Sequence, residues 1–347
     1  MEPDLKTLYA QMLRSRLFEE AVAELWQQGL ISGEMHLGSG EEAVVAGVVA
    51  HLVEGDALAL DHRGTPPLLM RGLDPVLLLR EFLGRPDGLC GGRGGHMHLF
   101  SRPHLAASSG IVGASGPAAA GLALAASYLR PGTLAVAFFG EGAMNQGMML
   151  EALNLAAVWQ LPAFFVCKDN DWAITTDSAT TAGGPLLDRA RSLGLAAAEV
   201  DGGDVLAVWQ AAGEALARVR AGEGPAFLLA CCLHLEGHFL DDPILSVVRR
   251  PLGEMAGMAG PMLRSALRRQ GAPLGERLQS AGLILGLIRK AFRERGAMER
   301  DDPLRRARQA LEAAGADLGD LEESVAREIE AVVARALAPA AGEGGGR

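Results

Sequence analysis

The sequence predicts an α/β protein: a parallel sheet flanked by helices. Three observations predict it. The runs Thr133 to Phe139, Leu161 to Cys167 and Ala226 to Cys232 have strand length and are almost continuously apolar, as strands covered on both faces must be. Stretches of helical spacing separate them: Asn145 to Gln160 carries Met148, Met149, Ala152, Leu155, Ala156 and Trp159 in phase, and a second helix runs from about Asp204 to Arg220. Gly is abundant at 45 residues while aromatics make up only 5%, which suits close helix–sheet contacts.

The elements follow in order. Leu5, Leu8, Tyr9, Met12, Leu13 and Leu17 mark an amphipathic opening helix, started at Pro3 and Asp4. Ala57 to Leu60 reads as a buried strand feeding the loop Asp61-His62-Arg63-Gly64. Gly91 to His98 is too glycine-rich for a helix or strand interior and reads as a loop. Gly110-Ile111-Val112-Gly113 leads into an Ala- and Gly-rich helix over Pro117 to Leu129. From Arg249 to Arg300 the character shifts, with a strongly apolar helical stretch over Gly282 to Phe292. Asp302-Pro303 starts a further helix, and Leu321, Val325, Ile329, Val332 and Val333 stripe the last one. The expected organisation is an α/β domain over 1–248, an atypical helical insertion over 249–300, helices over 301–338 that complete the same domain, and a disordered tail over 339–347.

Composition excludes several classes. A net charge of −10 gives no nucleic-acid footprint. Cys90, Cys167, Cys231 and Cys232 form no zinc-type spacing and read as free thiols in a reducing compartment. The N-terminus lacks a basic and an apolar leader region, and no stretch is long and apolar enough for a bilayer. The expectation is a soluble, cytoplasmic protein with no membrane partner.

The chemistry concentrates between Gly140 and Trp172. Ligands of open parallel sheets bind beyond the carboxyl ends of the strands. Glu141, between Gly140 and Gly142, closes one apolar run, and Asn170, after Asp169, closes the next. A crossover helix starting near Ala143 aims its free N–H groups at the same place. Each such contact is worth about 0.3–1 kcal/mol to an anion, too little to hold a diphosphate in water, so a divalent cation is required. Mg²⁺ takes oxygen ligands at about 2.0–2.1 Å and prefers few protein ligands plus phosphate. The Glu141 carboxylate, the Asn170 amide oxygen and a backbone carbonyl near Trp172 are the candidate ligands. Gly140 and Gly142 let the backbone approach the phosphate.

With these residues in place, the sequence resembles the alpha subunit of the thiamine-diphosphate-dependent 2-oxo acid dehydrogenases, the first component of the pyruvate, branched-chain and acetoin dehydrogenase complexes. The resemblance covers 5 to about 245 and resumes over 301 to 335. Besides the metal motif it rests on Arg16-Leu17-Phe18-Glu19, Met35 to Ala43, Gly92 to His98, Gly110 to Ala114, Glu151 to Ala157 and Gly237-His238. It implies thiamine diphosphate and Mg²⁺ as cofactors, with Glu141, Asn170 and the Trp172 carbonyl on the metal. It implies Arg63, Gly142, Ala143 and His238 on the diphosphate, and Gly110 and Val112 beneath the aminopyrimidine. His62 and His238 are the catalytic candidates, while His36 and His98 read as packing or loop-fixing residues. A beta subunit would complete the site in an α₂β₂ assembly, and a lipoyl-bearing acyltransferase would take the acyl group from pyruvate or a related 2-oxo acid.

Several positions depart from the family pattern. Glu141 stands where most members have Asp, Asp169 where Asn is usual, Thr65 where a second His is usual, Phe239 where Ser is usual and His234 where Arg is frequent. Two alternatives stay open on these grounds: an acetoin dehydrogenase alpha subunit, and a catalytically silent paralogue that binds a partner.

Overall fold

The computed structural model describes residues 4–174, 176–241 and 300–339, with the isolated positions 273, 275, 276 and 282. Its strands are β1 (Ala57–Leu60), β2 (Phe100–Ser101), β3 (Ala106–Ser108), β4 (Ala135–Gly140), β5 (Ala163–Asp169), β6 (Trp172–Ala173), β7 (Thr176–Asp177), β8 (Ala196–Asp201) and β9 (Ala226–Cys231). Among the described residues, seven of them form one sheet in the order β2-β3-β1-β4-β5-β9-β8, and β6 pairs with β7 outside it. Every pairing in the large sheet is parallel except β2 with β3. Gly140 lies opposite Lys168, and Asp169 opposite Cys231, so the strands that carry the motifs end at one level.

Helices cover both faces: α1 (Leu5–Gln27), α2 (Glu42–Val49), α3 (Thr65–Met70), α4 (Pro75–Phe82), α5 (Ser115–Leu129), α6 (Gly147–Val158), α7 (Leu186–Ser192), α8 (Val205–Arg220), α9 (Pro303–Ala313) and α10 (Gly319–Leu337). The two faces differ, because successive strand residues point to opposite sides. Val136, Phe138, Phe164, Val166 and Leu228 pack with Val44 and Val48 of α2, Phe18 of α1 and Leu216 of α8. Ala135, Ala137, Phe139, Phe165 and Phe227 pack with Ala119 and Ala123 of α5 and Met149 of α6. Each fully buried large side chain contributes about 1.5–3 kcal/mol. The second face uses small residues so that helices come close. A Cβ added at Gly116 of α5 would lie 2.7 Å from Met149 Sδ of α6.

The C-terminal helices return to the start of the chain. Tyr9 donates to Glu322 at 2.7 Å, Arg14 pairs with Glu328 at 2.8 Å, and Arg16 reaches Asp302 at 3.1 Å. Asp302 also caps α9 by accepting from the Leu304 N–H, with Pro303 at the first helical position.

Differences from the expected elements have local causes. A 3-10 turn over Glu141–Asn145 precedes α6, which starts at Gly147 rather than near Ala143. β8, of sequence AAAEVD, was not anticipated: it is an edge strand with half its residues exposed and the other half only partly covered, and its alanines give little periodic signal. β2 and β3 are too short for a pattern to show. The expected insertion over 249–300, including the Gly282 to Phe292 helix, lies almost wholly outside the described residues, as does the tail from 340 onward. All four cysteines are free. No helix among the described residues is long and apolar enough to cross a membrane.

Candidate active site

A cavity of about 230 Å³ opens at the carboxyl ends of β1, β4 and β5. The loop after β1 brings His62 and Arg63 to it, and the loop before α5 brings Val112. Gly140, Glu141, Gly142 and Ala143 line it from the end of β4, and Asn170 and Trp172 from the end of β5. His238 closes it from the segment after β9. Gly110 is the exception among the expected site residues. Its neighbours Ser109 and Ile111 line the cavity, and a Cβ added at Gly110 would stand 3.1 Å from Met97 Sδ and 3.4 Å from His98 Nε2 of the glycine-rich loop.

Glu141 is buried, at 2% exposure. Its Oε1 accepts from the Ser178 hydroxyl at 3.0 Å. Burial pushes its carboxyl up to about 7, and the nearby Asp169 charge adds to this. No Lys or Arg among the described residues forms an ion pair with it. A carboxylate in this state is stabilised by a cation. Asn170 Oδ1 accepts from the Trp172 N–H at 3.0 Å, a turn that leaves the second lone pair of the oxygen available. Asp169 stays outside the cavity lining and accepts from the Asp171 N–H at 3.0 Å. The hairpin β6–β7 folds close over Glu141, and this explains Gly142: a Cβ there would lie 3.0 Å from Ala173 Cβ.

Arg63 is buried and fixed on all sides. Its Nε donates to the Leu37 carbonyl at 2.9 Å and its Nη2 to the His238 carbonyl at 3.0 Å. Its Nη1 contacts His62 Nε2 at 2.8 Å. A guanidinium only donates, so His62 Nε2 accepts and its proton sits on Nδ1. His62 is therefore neutral, held far below the ordinary histidine range by burial and then by Arg63. His36, His96 and His238 are pushed down to about 3, 4 and 4, again by burial first and Arg63 second. Asp61 accepts from the Arg63 backbone N–H at 3.0 Å, and its carboxylate lies 3.0 Å from Lys168 Nζ.

The glycine-rich loop has its own anchor. The buried Glu81 carboxylate accepts from the N–H groups of Cys90, Gly92 and Gly94 at 2.6, 2.8 and 2.6 Å. This sets His96 against His36, with ring nitrogens 2.9 Å apart. Phe239 packs on the same cluster, its ring 6.1 Å from that of His238 and 6.3 Å from that of His36. Thr65 is buried at the first position of α3.

Sequence reasoning missed Ser178 and Lys168. Ser178 sits in a short hairpin region without periodicity. Lys168 gave a signal that was available: a lone charge closing a buried apolar run.

Fold and site together define an α/β enzyme whose strand tips present a carboxylate, an amide oxygen and an arginine to one ligand. The chain belongs to the dehydrogenase E1 component family, which matches it over residues 10–255. It is 41% identical over 240 residues to the alpha subunit of acetoin:2,6-dichlorophenolindophenol oxidoreductase of Cupriavidus necator, covering 69% of this chain and 72% of the relative. The Bacillus subtilis protein of the same name is 42% identical over 237 residues, 68% of this chain and 71% of the relative. The pyruvate dehydrogenase E1 component subunit alpha of Zymomonas mobilis is 37% identical over 308 residues, 87% of each chain. The chain is an alpha-type E1 chain, as its motifs led us to expect.

Proposed function

We propose that this chain is the alpha subunit of a heteromeric 2-oxo acid dehydrogenase that uses thiamine diphosphate and Mg²⁺. The meeting of Glu141, Asn170 and Arg63 at one strand-tip cavity carries the proposal. The residues fit the group. Glu141 is a buried carboxylate in want of a cation, and Asn170 has an oxygen lone pair to give. With the Trp172 carbonyl they make the small all-oxygen protein set that Mg²⁺ takes beside phosphate. Arg63, Gly140, Gly142, Ala143 and His238 would hold the diphosphate, and Val112, with Gly110 behind it, would face the aminopyrimidine.

The cofactor, when bound, supplies the carbanion chemistry of decarboxylation. This chain binds and orients. Arg63 has five N–H donors and turns four to protein oxygens and nitrogens, the longest at 3.5 Å, so the second Nη1 N–H remains for an anion. His62 serves as a positioning residue, because its Nε2 is turned onto Arg63. His238, neutral near pH 7, is the histidine that can take a proton at the cavity.

Sites that enclose a whole small ligand usually measure about 300–1,000 Å³. The cavity is smaller and exposes Ile111 and Val112 at its rim. That supports a site shared with a beta subunit in an α₂β₂ assembly, which would pass the acyl group to a lipoyl-bearing acyltransferase. The packing of α9 and α10 on α1 supports reading 1–248 and 301–338 as one domain, and composition supports a cytoplasmic location. The substrate is pyruvate or a related 2-oxo acid. Acetoin is the second reading, favoured by the 41% and 42% identities to acetoin oxidoreductase subunits. The co-expressed alpha–beta pair should reduce an artificial electron acceptor with one of pyruvate, branched-chain 2-oxo acids or acetoin. It should do so only with thiamine diphosphate and Mg²⁺ present. Turnover that is indifferent to the cofactor, or absent with all three substrates, would sink the reading.

A further inference from the structure

Behind Arg63 lies a buried cluster of four charges that the proposed function does not use. Lys168, 1% exposed at the end of β5, places Nζ 2.6 Å from Glu41 Oε2 and 3.0 Å from Asp61 Oδ2. Glu41 Oε1 is in turn 4.0 Å from Arg63 Nε. The two carboxylates are not equivalent. Glu41 is 1% exposed and does not line the cavity, whereas Asp61 does, on the same wall as Arg63. An anion entering the cavity therefore meets one carboxylate and one guanidinium together. Among the described residues, Lys168 is the cation in contact with that carboxylate, which meets Arg63 only through its backbone N–H. With Lys168 the four charges sum to zero; without it Arg63 alone would answer the buried Glu41 and the partly buried Asp61.

We propose that Lys168 is a positioning residue for the anionic part of the cofactor: its ammonium answers Glu41 and Asp61 and so leaves the Arg63 charge for the diphosphate. The inference rests on the cofactor reading above. It makes a signed prediction, because removing the cation and removing the cavity-facing carboxylate should act in opposite directions. General disruption of the cluster would weaken binding in both cases.

The test is calorimetric titration of the co-expressed alpha–beta assembly with thiamine diphosphate at saturating Mg²⁺. The wild-type assembly binds. K168Q should bind at least tenfold more weakly, by analogy with the tenfold to hundredfold effect of groups that support a ligand-binding residue. D61N should bind about threefold or more tightly, and K168Q/D61N should return close to wild type. If K168Q fails to fold, D61N alone decides: tighter binding supports the proposal, and unchanged or weaker binding overturns it. Folded K168Q with wild-type affinity, or a double variant no better than K168Q, also overturns it while leaving the cofactor reading intact. A wild-type assembly that gives no heat overturns both.

Discussion

The two halves of the cavity are built on opposite principles. The acidic half, Glu141 with Asn170, is short of a cation: Glu141 is buried, pushed up to about 7 and supported by a serine hydroxyl and by backbone N–H groups of its own turn and of Asn170. The cationic half, Arg63 with its histidines, is mostly tied into the fold, with donors seated on Leu37, His62 and His238 and one N–H left for an anion. One half is arranged for a ligand it would gain; the other is arranged to hold a charge that stays. Stability and binding should therefore separate between them.

The largest expected effect is on binding in the acidic half. E141Q should weaken Mg²⁺-dependent binding of thiamine diphosphate by more than about 100-fold, since even groups that only support a metal ligand are worth 10–100-fold. Without metal, the same variant should melt no lower than wild type, because an amide removes a carboxylate that burial disfavours. Titration calorimetry and thermal melting of one preparation check both statements. A clear fall in melting temperature would mean that Glu141 holds the fold.

R63M should show the reverse balance. It leaves the Leu37 and His238 carbonyls without their donor and Glu41 with one cation fewer. A loss of about 3 kcal/mol in urea unfolding is expected, as for breaking a buried pair. An R63M protein as stable as wild type would erase the distinction between the halves.

Acid should act on the histidine half first. His36, His96 and His238 lie at about 3, 4 and 4 in the folded chain, against an ordinary value of 6.5. Below 6.5 the unfolded chain takes up protons that the folded chain does not, so stability is full above that value and drains away toward pH 4. Melting temperature should fall between pH 6.5 and 4.5, the histidines outweighing the buried Glu141 carboxyl, which at about 7 works in the opposite sense. A flat profile down to pH 5 would show these rings already charged in the fold.

The smallest effect is expected from S178A, which removes the hydrogen bond from the Ser178 hydroxyl to Glu141. A weakening of Mg²⁺ affinity by roughly tenfold is expected, the low end for groups that orient a metal ligand. An effect as large as that of E141Q would give Ser178 a direct part in binding.

The acidic half was readable in the sequence because each of its groups directly follows a strand. Gly140-Glu141-Gly142 and Asn170 terminate apolar runs, and parallel pairing of β4 with β5 brings two such ends side by side. The cationic half is assembled from segments far apart in the chain, around residues 36, 62, 96 and 238. No local pattern states that these rings meet. Arg63 could be placed at a strand end, but its partners could not: Asp61 turned out to bind Lys168 across the sheet. Lys168 was visible as a charge at the end of an apolar strand, but its partners Glu41 and Asp61 come from distant segments that no local pattern joins to it. The start of α6 was misjudged because helical periodicity does not distinguish a 3-10 turn from the first turn of an α-helix.

The most direct test of the account is where the metal goes. Crystals of the alpha–beta assembly grown with thiamine diphosphate and Mn²⁺ in place of Mg²⁺ should give one anomalous peak bridging the Glu141 carboxylate and the Asn170 amide oxygen. A peak among His36, His62 and His238 instead, or none at the tips of β4 and β5, would contradict it.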